Sequence, residues 1–516
     1  MRTQSFALAL ASLIATSPVY AIDSCQSIFD TPSRYETREV MDVSRTEKAK
    51  TFSAQPKNKH EIQNAIVYAK QHGLKVTIKG TNHSHGGHNR RQQDVAGKPR
   101  AIQLDMLGYN RILKLDKENK EVTVEAGVTW KELSVFLDQY GLAAMTEQSS
   151  NIFSIGGSVS TNVHGRDVHG PLINSIKEIK FLNSDGVEQR VNRSEHPEVF
   201  KALVGGYGGL GVITEVTLFV EKNYLYQAHS VTDISVKDYA QYLRALDSRP
   251  SNLMHYGRIN LSGKTGFTKV SYTEWTPVNE GMVAKEWAGW KLNLGEKNIG
   301  ISSAIMNLMR YRPTSEVGKY VKDVADKFFG LPKTGTVKTK NNILNNPVQF
   351  LFDNFYNQKS SVDILQEYFV PVDRMEPFLA TLKAVTEKHD LDLMNVTFRY
   401  VPKVKKGTNS ILSPYSEKED LVAIVLYYNV EEARGKANGL QVDYNGSQWT
   451  QELIQRAQDL GGSFYWPYHR WWTPEQIKHQ SEGEITEYFH IKEKVDPQSL
   501  FESDFIYYLR EASQTK

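Results

Sequence analysis

Apolar and polar positions along this chain follow two successive rhythms. From Lys57 onward, helical spacing alternates with short β-rich runs. Ile62, Ala65, Ile66 and Ala69 predict one face of a helix over 60–69, and Lys75-Val76-Thr77-Ile78-Lys79 predicts a strand. A further strand is expected over 121–127, then an amphipathic helix over 130–140 that ends at Gly141. This grammar predicts a compact α/β unit from about residue 30 to 221. Beyond Asn223 the rhythm changes: 270–275, 367–371, 396–401 and 422–428 read as long strands with few crossover helices, which predicts an antiparallel sheet and a second domain. Residues 282–347 are rich in Lys, Gly and Asn with weak periodicity, and predict a mixed helical insertion with mobile loops.

The 516 residues are 40% hydrophobic and 23% charged, enough for a large core and for more than one domain. Lys and Arg total 62 against 59 Asp and Glu; the resulting charge of +3 is too small and too dispersed to make nucleic acid the default partner. The single cysteine, Cys25, excludes an internal disulfide framework and any multi-thiolate zinc or iron–sulfur site. Arg2 precedes an apolar run from Phe6 to Ala15, and Val19-Tyr20-Ala21 supplies compact residues at cleavage spacing. Residues 1–21 therefore read as a secretory signal peptide, with a periplasmic or secreted destination. The run is too short to span a bilayer and no later stretch of about 18 apolar residues follows, so no transmembrane segment is expected. Cys25 is close enough to the cleavage position to raise lipidation, but Asp23 spoils the small apolar approach such a cysteine has.

Three glycine-rich segments carry the candidate chemistry. Residues 79–88, Lys-Gly-Thr-Asn-His-Ser-His-Gly-Gly-His, follow directly on a strand, where converging backbone N–H groups suit a phosphate or pyrophosphate. The same segment reads as a tight surface loop, or as a metal site built on His83, His85 and His88. Residues 155–170 hold many side chains too small to block a ligand, and equally suit a turn-rich hairpin. Gly206-Tyr207-Gly208-Gly209-Leu210-Gly211 matches the dinucleotide fingerprint, but a helix is expected before it (197–203) and a strand after it (212–218). That order is the reverse of what a Rossmann loop needs, and it excludes an NAD site here.

In this order and spacing, the three segments resemble the FAD-binding domain of the vanillyl-alcohol oxidase superfamily, the PCMH type. Gly80-Thr81-Asn82-His83-Ser84 is similar to that family's pyrophosphate loop, 123–127 to its next strand, Gly156-Gly157 through His164-Gly165 to its flavin-facing stretch, and 208–213 to its glycine-rich turn near FAD. The tail 495–505 is similar to its closing segment. The resemblance implies an α+β protein: a two-subdomain FAD-binding domain over 30–222, an antiparallel-sheet cap (substrate) domain over 223–464, and a segment 465–516 that returns to the first domain. It implies FAD contacts from Lys79, Gly80, Thr81, Asn82, His83 and Ser84, from Ser149, from Gly156, Gly157, Ser160, Thr161, His164 and Gly165, and from Gly211, Val212 and Ile213.

The branch it most resembles holds aldonolactone and alditol oxidases and decaprenylphosphoryl-ribose oxidase. Those enzymes oxidise a carbinol of a sugar, lactone or polyol by hydride transfer to flavin N5, with oxygen or another acceptor taking the electrons. Thr397-Phe398-Arg399 stands where that branch has a Glu-x-Arg pair; the Glu is missing, and Arg399, which stays protonated, is expected to act electrostatically. A proton acceptor must then come from elsewhere: His469 is the first choice, Tyr468 the second, and Glu367 is expected to accept hydroxyl hydrogen bonds. Packing of the domain junction by 465–472, and an exposed strand carboxylate at Glu367, are the plainer readings. His83 stands where many members of the superfamily attach FAD through its 8α-methyl group, so a single histidyl link is expected, against a noncovalent flavin or linkage through His85 or His88. The competing function is a catalytically impaired relative that binds a carbohydrate or cell-wall ligand, since Glu-x-Arg is broken.

Overall fold

The computed structural model describes residues 36–41, 48–92, 94–248, 253–261, 266–278, 292, 331–344, 361–389, 391–431 and 447–514. The expected signal peptide, Cys25 and most of the insertion expected over 282–347 lie outside the described residues.

Three sheets organise the described residues. The first joins β1 (Glu36–Met41), β2 (Lys48–Ala54), β3 (Lys75–Lys79) and β4 (Ala101–Asp105) in the order β1-β2-β4-β3, with β2, β4 and β3 parallel. The crossover from β2 to β3 is helix α1 (Lys59–Gln71), started by Asn58, whose side chain accepts from Glu61 N at 3.0 Å. Its Ile62, Ala65, Ile66 and Ala69 bury one stripe against Val76, Ile102 and Leu104, which is why the apolar spacing there is helical.

The second sheet is antiparallel, in the order β5-β6-β10-β8-β9: β5 (Ile112–Asp116), β6 (Glu121–Glu125), β8 (Ile176–Leu182), β9 (Glu188–Asn192) and β10 (Val212–Lys222), with β7 (Leu142–Ala144) beside β10. Helix α2 (Trp130–Asp138) begins with a Thr129/Glu132 capping box. Residues 155–161 form helix α3 (Ile155–Thr161) and no hairpin. Glycine and β-branched residues argue against a helix there. Ser154 caps it, however, and Trp130 Nε1 donates to Ser158 Oγ at 2.9 Å, so tertiary contacts hold the turn. Helix α4 (Pro197–Leu203) precedes the turn into β10.

The third sheet has eight strands in the order β14-β11-β13-β12-β16-β17-β15-β18, every described pair antiparallel: β11 (Leu225–Ser235), β12 (Met254–Ile259), β13 (Lys269–Pro277), β14 (Val337–Thr339), β15 (Ser361–Pro371), β16 (Asp392–Val401), β17 (Leu421–Glu431) and β18 (Ser463–Phe464). Its side chains alternate between two faces. Tyr368, Val370, Val396, Phe398, Val422 and Ile424 bury one face against helices α5 (Val236–Arg244), α6 (Met375–Lys388) and α7 (Ser447–Asp459). The opposite face carries Glu367, Phe369, Thr397, Arg399 and Ala423, and it is turned toward α3: Tyr465 donates to Thr161 O at 2.7 Å and Tyr415 to Asn162 O at 2.6 Å.

The last segment holds helix α8 (Pro474–Val495) and helix α9 (Asp504–Gln514) and lies on the first two sheets. Phe501 bridges Val76 in parallel, Ser184 Oγ donates to Val495 O at 3.1 Å, and Asp504 pairs with Arg90 and Arg91 at 3.2 and 3.3 Å. Among the described residues no helix is long and apolar enough to cross a membrane.

Candidate active site

The first wall of the site is the loop after β3. Lys79 pairs with Asp105 at 2.8 Å, which fixes the strand end. At Gly80 the loop approaches the start of α3 so closely that a Cβ would lie 2.2 Å from Ser154 Oγ. Asn82 takes a left-handed conformation (φ 65°), and its side chain accepts a hydrogen bond from Asn89. Across from the loop, Gly156 packs on Ala126, where its N–H donates to the Ala126 carbonyl at 2.8 Å and a Cβ would lie 2.8 Å from the Ala126 Cβ. Gly157 is exposed beside it, while Ser160 and Thr161 turn their hydroxyls back on the helix, to Gly156 O and Gly157 O.

Four imidazoles line this wall. His83 meets Phe153 edge-on at 4.9 Å; burial first, then His85, pull its pKa down to about 3. Burial alone takes His85 to about 3. His88 stacks on Phe505 at 4.2 Å, and His469 lies 5.2 Å from His85; burial, then neighbouring positive charges, hold both well below the ordinary histidine range. Among the described residues, both ring nitrogens of His85 and of His469, and Ser149 Oγ, are buried without a hydrogen-bond partner. Among the described residues no group of three His, Cys, Asp or Glu is disposed to hold a metal ion.

The second wall is the open face of the large sheet. Glu367, on β15, is buried and not the exposed carboxylate of the plainer reading: His164 Nε2 donates to its Oε1 at 2.6 Å and the Tyr468 hydroxyl to its Oε2 at 3.4 Å. Burial alone would push this carboxyl up, but the His164 charge and hydrogen bond, with Arg399 behind them, hold it below the usual carboxylate range. Register aligns Arg258, Thr397, Val425 and Glu367 in one lateral row across β12, β16, β17 and β15. Arg399 stands two residues along from Thr397 and is half-buried. His164, one of the implied flavin contacts, thus serves the sheet wall, whereas the His469 ring turns to His85 and not to Glu367. Gly211, Val212 and Ile213 open β10 as buried positions, Val212 packed with Leu182 in the core under α1.

Sequence reasoning passed over Arg166, which follows His164-Gly165, and Arg258. Their guanidinium carbons lie 4.5 and 5.7 Å from the centroid of the Tyr256 ring. The signal was present only as alternation: Tyr256 and Arg258 are two apart on one strand, but that strand had to be paired with β16 before it pointed anywhere.

The wall around α3 fits a flavin dinucleotide. Its glycines leave room along the main chain, and its orphaned hydroxyl and imidazoles are polar atoms awaiting partners. Residues 51–192 match the FAD binding domain family. The chain is 32% identical over 165 residues to the L-gulonolactone oxidase of Mus musculus, 32% identical over 171 residues to the D-arabinono-1,4-lactone oxidase of Candida albicans, and 28% identical over 165 residues to the mitochondrial L-galactono-1,4-lactone dehydrogenase of Arabidopsis thaliana. These matches cover 32% of this chain in each case and 36%, 31% and 26% of the relatives, so the chain spans about a third of the length of the curated relatives it matches. Among solved structures, a solvent-stable cholesterol oxidase superposes with a TM-score of 0.67 over 92% of this chain and 97% of its own, at 14% identity, a likeness of fold. Residues 51–192 of this chain are an FAD-binding domain, and the fold that contains them is the PCMH-type fold with its antiparallel-sheet cap.

Proposed function

We propose that the protein is an FAD-dependent oxidoreductase that oxidises the carbinol of a small polar alcohol of the sugar, aldonolactone or polyol class. The observation that carries this reading is the lateral row Arg258–Thr397–Val425–Glu367. The carboxylate missing from Thr397-Phe398-Arg399 enters the same row and face from β15, so a carboxylate and Arg399 sit together after all. The relatives, named for oxidising sugar lactones, support the same class.

FAD, when bound, supplies the two-electron acceptor that no side chain here can provide. The first wall would hold it: the loop 80–84 would face its phosphates, and Gly156 and Gly157 keep the helix surface low. On the second wall, Glu367 Oε2 keeps acceptor capacity, because its one hydrogen bond among the described residues, from Tyr468, is long. The substrate hydroxyl therefore donates to Oε2 and passes its proton there, while His164 holds Oε1 and fixes the carboxylate. Arg399 faces the charge that develops as the proton leaves. Glu367 replaces His469 as the proton acceptor because the His469 ring turns to the loop. His83, neutral at ordinary pH, meets the requirement for a covalent link to the 8α-methyl carbon. Export through residues 1–21 belongs to the same reading, and the N-terminal mass of the mature protein tests it.

The decisive experiment is an anaerobic screen of the purified yellow protein against lactones, alditols and sugars. Bleaching by a member of these classes is expected, and bleaching lost in Glu367→Gln assigns the acceptor. Flavin-loaded protein that no such alcohol bleaches would overturn the reading in favour of a binding protein. Oxygen uptake alongside bleaching separates an oxidase from a dehydrogenase. Acid-precipitated wild type should stay yellow and His83→Ala should not.

A further inference from the structure

A cluster of positive charge on the sheet wall is not explained by alcohol oxidation. Arg166 is anchored where the flavin-domain loop touches the cap: His255 N donates to Arg166 O at 2.7 Å, and Asp167 forms a β-bridge with Met254. Its guanidinium and that of Arg258 lie against one ring, Tyr256, at 4.5 and 5.7 Å. Arg399, one strand over and on the same face as Arg258, completes the group. Burial first, then Arg399 and Arg258, pull the Arg166 pKa down to about 10. Lys338 on β14 is lowered by burial and then by Arg166, so a fourth cation shares the field. Among the described residues neither Arg166 nor Arg399 makes an ion pair, and the Nε atom of each is buried without a hydrogen-bond partner.

A guanidinium cannot shed its proton to escape such a site. Arg399 already has Glu367 in its field, but like charges gathered on a partly dry wall still repel, and the same wall focuses the field on an incoming anion. Resting on the oxidoreductase reading above, we propose that Arg166 and Arg258, with Arg399 at their edge, form an oxyanion subsite, so that the substrate carries a carboxylate or phosphate besides the alcohol to be oxidised. The planar forks suit bidentate hydrogen bonds to either group. Glu367 and Arg258 stand three strands apart in one row and on one face, roughly 14 Å between backbones at the usual strand spacing. That leaves the length of a small sugar acid or sugar phosphate between proton acceptor and anion clamp.

Calorimetric titration of the flavin-loaded protein with D-gluconate, inorganic phosphate and sorbitol tests this. At least one anion should bind tenfold or more tighter than sorbitol, and added salt should weaken it. Preference for gluconate assigns the carboxylate, preference for phosphate the phosphate. Arg258→Gln and Arg166→Gln should each weaken the anion tenfold or more, and Arg258→Lys less, with flavin content per chain read as the folding control. If Arg166→Gln loses flavin, the Arg258 pair and the wild-type salt dependence still decide. Anions that bind no better than sorbitol, or that bind equally well in the Arg258→Gln variant, would overturn the subsite. Anion binding without bleaching by any alcohol would leave the subsite standing and remove the oxidase; bleaching by neutral and acidic sugars alike, with no anion preference, would do the reverse.

Discussion

The two walls of the site meet the same problem, burial of ionisable groups, and resolve it in opposite ways. On the loop wall His83, His85, His88 and His469 escape the desolvation penalty by staying neutral. On the sheet wall the arginines have no neutral form to retreat to, and Glu367 keeps its charge because His164 and Arg399 face it. One wall therefore contributes shape and backbone donors, the other a field. A flavin already carries its own reactivity and needs the former, whereas a polar substrate that must lose a proton needs the latter.

The contrast breaks most visibly at Glu367. Glu367→Gln keeps the shape and removes the charge, and should cost about 10³-fold or more in kcat, roughly 4 kcal/mol, with flavin content unchanged; steady-state kinetics on flavin-normalised protein measure it. Arg399→Ala should follow, with turnover down about 10²-fold, near 3 kcal/mol, and folding nearly unaltered because the side chain is only half-buried. On the loop wall the sensitive property is shape: Gly156→Ala drives a methyl against Ala126 and should lower stability by about 1–3 kcal/mol and with it flavin retention, read from thermal melts and absorbance.

Proton linkage sharpens the comparison further. The unfolded chain protonates its histidines near pH 6.5, while folded His83, His85 and His255 resist until about 3. Their folded pKa values are depressed, so the folded state binds fewer protons and stability falls as pH drops below 6.5. Each contributes up to about 1.4 kcal/mol per pH unit. Denaturant melts between pH 7 and 5 should show this loss, and His85→Asn should flatten it by one histidine's share. At the bottom of the scale, Asp185→Asn removes an exposed pair with Lys70 and should change stability by no more than about 0.5 kcal/mol.

Elements that depend on local period were legible in the sequence. The apolar stripe of α1 and the strands around 270–275, 396–401 and 422–428 follow from spacing alone, whereas the α+β class came with the family resemblance. Helix α3 was not legible, since its glycines and hydroxyl residues have poor propensity and its hold comes from Ser154, Trp130 and Ala126, all outside it. The strand carrying Arg258 was hidden by Gly257, whose missing side chain makes room for the Tyr239 ring. Glu367 was legible as a polar residue in an apolar strand, but its company was not. Only the register of β15, β17 and β16 reveals that it fills the row in which Thr397 lacks a carboxylate. Likewise, consecutive Tyr468 and His469 both pack against the His85 ring, yet only the Tyr468 hydroxyl reaches Glu367, which no pattern in the stretch 465–472 encodes.

The clasp between Asp504 and the residues just after the histidine loop has a consequence for order of assembly. Asp504 receives Arg90, Arg91 and the Gln92 amide, and its own amide donates to the Arg90 carbonyl, contacts that join positions more than 400 residues apart. A loop that long adds only slowly to the entropy of closure, so the clasp is feasible late. It cannot form, however, until some 400 further residues have followed the loop out of the ribosome, because the acceptor lies that far downstream. The histidine loop is thereby fastened by residues made long after it, and a chain interrupted before Asp504 lacks this clasp.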